Sequence, residues 1–102
     1  MFHFYFYVPK SHLEAVKNAV FAAGAGKVGN YSCCAWQTKG KGQYLPLHGS
    51  NPFSGKIDKL KKVIEIKVET ICKKEDLSNV IKALKTSHPY ETPAYGAIEI
   101  LV

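Results

Sequence analysis

A chain of 102 residues, 46% hydrophobic and 22% charged, has the size and make-up of one ordinary globular domain, and no apolar stretch approaches the about 20 residues a membrane-spanning helix needs. The formal charge of +6 rests on lysines scattered from residue 10 to 85 and interleaved with acids, with no arginine, so it is read as a solvated surface and not as a nucleic-acid footprint. Cys33, Cys34 and Cys72 are odd in number and lack a C-x-x-C spacing, which gives neither a disulfide framework nor a zinc knuckle; they are read as reduced thiols.

Phe2, Phe4, Phe6 and Val8 alternate with His3, Tyr5 and Tyr7, a strand bulky on both faces and therefore predicted to be internal. It is short, closes at Pro9 and has no basic segment before it, so it is taken as a buried strand of a cytoplasmic protein and not as a leader. Ser11 and Glu14 have the spacing of a capping box, predicting a helix from about residue 12 with Leu13, Val16 and Val20 inward and Gly24 and Gly26 ending it. Residues 31 to 38 are strand-like, and Gly40 with Gly42 predicts a turn into a second extended piece over 43–47. The stretch Gly49 to Gly55 has no period and many turn formers, with Asn51 set before Pro52 and Phe53 placed to anchor the loop on a neighbouring surface. Ile64, Ile66, Val68 and Thr70 alternate with Glu65, Lys67 and Glu69 in a further strand. A second helix carries Leu77, Val80, Ile81 and Leu84 behind Glu75 and Asp76, and residues 94–102 form the last strand.

This order is that of a single α+β domain over residues 1–102, a ferredoxin-like βαββαβ sandwich with a four-stranded antiparallel sheet and two helices on one face. The other face is then bare. With Tyr31, Trp36, Tyr44 and Tyr95 added to the first strand it is expected to be an apolar patch that self-association covers.

Between the second helix and the last strand, His88, Pro89, Tyr90, Glu91, Thr92, Pro93, Ala94 and Tyr95 make a stiff connector in which each proline restricts the residue before it. His88, Tyr90 and Glu91 are candidates for a polar cluster, with His88 a proton-sensitive donor or metal ligand. The plainer reading is that the prolines fix the turn and these side chains satisfy local hydrogen bonds. A soft-metal set of His88, Glu91 and Cys33 combines imidazole, carboxylate and thiolate; Cys33 and Cys34, on a regular strand, would face opposite ways, so only one could join it. Glu65 and Glu69 share a strand face without evidence of converging on a cleft. No nucleophile elbow, zinc helix or dinucleotide fingerprint is present, so catalysis has no motif to stand on.

Gly24-Ala25-Gly26, Gly29-Asn30-Tyr31 with Cys33, the Gly49 to Gly55 loop, Glu69-Thr70 and the His88 to Tyr95 run together resemble the YqfO family, the CutA-like domain of the Nif-three-like proteins. More distantly the chain is similar to CutA, which shares His88, Pro89, Tyr90, Glu91 and Pro93 but not the Asn30-Tyr31 and Asn51-Pro52-Phe53 signatures. Gly96 stands where the family usually has Asp, and Lys73 where it has Pro. The resemblance implies a CutA/PII-like fold and a homotrimer with a small-molecule or metal ligand at subunit junctions. There His88, Tyr90 and Glu91 would meet Asn30-Tyr31 or Asn51 to Phe53 of a neighbour. It also implies a binding or assembly module with no chemistry of its own. Alternatives are a divalent or soft metal-ion tolerance protein, or an accessory to a Nif-three-like hydrolase whose metal-bearing domains have no counterpart in these residues. No other cofactor is expected, nor a nucleic-acid or membrane partner.

Overall fold

Steric crowding along the Phe/Tyr-rich opening favours an extended chain, and Phe2–Pro9 forms β1, the strand that the computed structural model places inside the sheet. The structure describes residues 1–101; Val102, expected in the last strand, lies outside the described residues. After β1 come α1 (Leu13–Ala22), β2 (Ala35–Tyr44), β3 (Lys61–Cys72), α2 (Leu77–Ser87) and β4 (Tyr95–Glu99). The sheet order is β2-β3-β1-β4 with antiparallel pairing throughout, the ferredoxin-like arrangement expected. Phe4, Phe6 and Val8 of β1, with Ile66, Val68 and Cys72 of β3, are buried against Val16, Val20, Val80 and Leu84 of the two helices.

Four local expectations are corrected. The capping box does not form: Ser11 Oγ bonds the adjacent His12 Nδ1 at 2.8 Å, a 3-10 turn over Lys10–His12 leads into α1, and Glu14 pairs with Lys17 at 3.2 Å. Gly40 and Gly42 make no hairpin turn. Neither has the positive φ that tight hairpin turns require, and β2 runs straight through both to Tyr44, so the reversal falls in the 45–60 loop. A Cβ at Gly42 would run into the Glu65 carboxyl group, which lies across it, so this glycine admits a neighbour and not a turn. Third, β2 starts only at Ala35. Cys33 and Cys34 therefore precede the strand, Cys33 with φ +58°, and the opposite-face argument does not apply to them.

The bare face, fourth, is not the apolar patch expected. Tyr95 is opposite Phe6 in the register and packs on the covered side, and Tyr31 is outside the sheet in a bridge with Val28. On the bare side His3, Tyr5 and Tyr7 are beside Glu65, Lys67 and Glu69, not an apolar surface. Lys67 Nζ is 5.3 Å from the Tyr5 ring centre and 3.7 Å from Glu69 Oε1, which also lies 3.2 Å from His3 Nε2. Trp36 and Ile98 are nevertheless 70% and 56% exposed. Gly96 supplies a floor for the Tyr5 ring, which occupies the space a Cβ there would need.

Candidate functional site

The His88 to Tyr95 run starts where α2 ends, with His88 in extended geometry (φ −76°, ψ 136°), as its following proline demands. His88 is only 6% exposed, and both ring nitrogens are engaged: Nε2 lies 2.7 Å from the Tyr7 carbonyl oxygen and Nδ1 accepts the Tyr90 backbone N–H at 3.1 Å. A carbonyl can only accept and an amide only donate, so these partners together select the neutral ring with its proton on Nε2. Burial lowers the His88 pKa, against smaller raising effects from the Tyr7 bond and Glu65, with His12 lowering it further.

A pH dependence follows. Because the folded pKa lies below the ordinary 6.5, the unfolded chain binds more protons between the two values. The His88 contribution to stability is therefore full above pH 6.5 and is lost as pH falls from there through the lowered folded value. Urea melts of the wild type and of His88→Leu at pH 7.5 and 5.5 should show the larger decline in the wild type. Equal declines would mean His88 does not titrate differently on folding.

Tyr90 turns into a row of rings. Its ring centre is 4.9 Å from that of His88, 5.8 Å from Tyr44 and 6.3 Å from Phe53, and Phe53 meets His12 edge-on at 5.3 Å. Burial raises the Tyr90 hydroxyl pKa above the usual phenol range, and a hydrogen bond to Glu65 raises it further. The 45–60 loop is tied to this row at two points: Tyr44 donates its hydroxyl to the Ser54 carbonyl at 2.6 Å, and the Asn51 N–H donates to Glu91 Oε1 at 3.0 Å. Loop, run and sheet together enclose a cleft of about 430 Å³ with Tyr44, Phe53 and Tyr90 on its walls and Glu65 and Glu91 among its lining.

The predicted site residues thus divide. Tyr90, Glu91 and Phe53 line the cleft, and Asn51 orients Glu91; His88 stands behind Tyr90 and holds it. Asn30, Tyr31 and Cys33 are at the other end of the sheet. Their segment is fixed to the far end of β3 by Gly26 N–H to the Ile71 carbonyl at 2.8 Å and by Thr70 Oγ1 to the Cys34 carbonyl at 2.6 Å. From Thr70 to Glu65 is five strand residues, about 17 Å. Within one chain, then, His88, Glu91 and Cys33 do not come together as a metal set, and no group of three or more His, Cys, Asp or Glu able to hold a metal ion occurs among the described residues. Tyr7, Tyr44 and Glu65 were not anticipated as site residues. Strand periodicity marks Glu65 as facing away from the core; only the path of the loop turns that position into a cleft. Glu69, its partner in the sequence pattern, is bound to His3 and Lys67 instead.

No family model matches the chain. In sequence it is 46% identical over 89 residues to the "GTP cyclohydrolase 1 type 2 homolog" of Halalkalibacterium halodurans, an alignment of 87% of this chain and 24% of that protein. It superposes on the Bacillus cereus protein related to NIF3 with a TM-score of 0.80 at 38% identity, over 94% of this chain and 24% of the other. The periplasmic divalent cation tolerance protein CutA of Archaeoglobus fulgidus gives a TM-score of 0.69 at 19% identity, over 98% and 84%, a likeness of fold. The chain spans about a quarter of the length of the curated relatives it matches.

Proposed function

We propose, from the chain's standing as the counterpart of one segment of the Nif-three-like (YqfO) proteins with a CutA-like fold, that it is a homotrimeric binding or assembly module with no catalysis of its own. The cleft under the 45–60 loop carries this reading: aromatic walls, two carboxylates and a lining in which no nucleophile is paired with a base. Such a lining suits recognition of a ligand and offers no chemical step. Trimer formation is supported by the bare sheet face, where Trp36, opposite Glu69, and Ile98, opposite His3, lie exposed without a covering layer. Asn30 and Tyr31, remote from the cleft in their own chain, are then available to a neighbour's.

The test is sedimentation equilibrium across micromolar concentrations. A species of three times the 11.3 kDa chain mass is expected, and Trp36→Lys should shift it toward single copies by placing a charge on the buried face. A stable single copy at tens of micromolar would remove the assembly reading.

A further inference from the structure

We infer that the cleft takes a small organic cation, a protonated amine carried on an apolar body; this rests on the reading of the cleft as a ligand site and names the ligand class. The chain has 14 lysines against 8 acids, yet the cleft lining contains no lysine or histidine and does contain two acids. Neither acid is held in an ion pair. The ion pairs among the described residues join Glu14, Asp58 and Glu69 to basic groups, and leave Glu65 and Glu91 without one.

What these carboxylates do contact leaves them able to accept more. Glu91 receives one N–H, from Asn51, and Glu65 lies over Gly42. Each carboxylate has lone pairs beyond these bonds. Around them stand Tyr44, Phe53 and Tyr90, with ring centres 5.8 and 6.3 Å apart pair by pair, the side-chain set whose ring faces attract ammonium groups. An anion would meet two like charges and no donor side chain of positive charge. A neutral ligand would gain the ring contacts but leave the carboxylates facing apolar surface, whereas an amine satisfies both. At about 430 Å³ the space suits a small molecule.

The experiment uses the full ¹⁵N-labelled chain and three probes of one carbon skeleton: 4-phenylbutylamine, 4-phenylbutanol and 4-phenylbutyrate. The Asn51 amide, which donates to Glu91, reports occupancy by its NMR shift. The amine is expected to give a saturating shift at least about tenfold tighter than the alcohol, and the carboxylate none. Glu65→Gln and Glu91→Gln, which keep the side-chain shape and, at position 91, the acceptor oxygen for Asn51, should each weaken the amine several-fold and leave the alcohol unchanged. If the alcohol binds as tightly as the amine, or both Gln variants bind the amine as the wild type does, the cation class is overturned while the cleft stands as a ligand site. If no probe moves Asn51 in wild type or in Phe53→Ala, the cleft reading falls with it.

Discussion

Phe6→Ala is expected to destabilise the fold by about 3–5 kcal/mol, a large share of the roughly 5–15 kcal/mol that holds a domain of this size together. Phe6 is fully buried at the centre of the inner strand, opposite Val68 on one side and Tyr95 on the other, with the Phe4 ring 6.1 Å away and helix side chains above. Removing the ring discards its transfer free energy and leaves a cavity that a strand pinned on both edges cannot close. Tyr5→Ala, one residue away but on the bare face, is expected to cost far less in the single chain. Urea unfolding of both variants at one fixed protomer concentration, with the m-value compared to wild type, measures the difference. Equal losses would mean that the bare face is as deeply packed as the core.

His88→Leu is expected to cost about 2–5 kcal/mol, and to disturb the cleft as Phe6→Ala should not. Leucine fills most of the imidazole volume but leaves the Tyr7 carbonyl and the Tyr90 N–H without their partners, each at about 1–3 kcal/mol if water does not reach them. Tyr90 then loses both its backbone anchor and the ring it packs on, and the Asn51 amide resonance should broaden or shift as the loop loosens. A loss below 1 kcal/mol with the Asn51 resonance unmoved would show that water replaces the imidazole and that Tyr90 is held without His88.

His88 illustrates how much of the site could be read from the residues. Two prolines in eight residues forced a stiff run, and that run does hold Tyr90 and Glu91 in fixed places. The role of the imidazole depended on a partner 81 residues away, the Tyr7 carbonyl, which periodicity cannot supply. The same limit explains Gly42. As a local signal it marks a turn, yet its purpose is to accommodate Glu65 across the strand pair, a contact that exists only once register is set. Ser11 and Glu14 failed in the opposite direction: their spacing was right, but the 3-10 turn and the adjacent His12 gave the hydroxyl a nearer partner.

From sequence alone the fold class, the inner position of β1 and the core-facing residues of both helices and of β3 followed, because alternation and helical spacing are local properties that tertiary packing had no reason to override. Tertiary structure alone decided that Tyr95 turns inward, that β2 is one strand, and that Glu65 joins Glu91 under Phe53. Each of these depends on which strand lies beside which and where the 45–60 loop folds back, distances between residues far apart in the chain that no local pattern encodes.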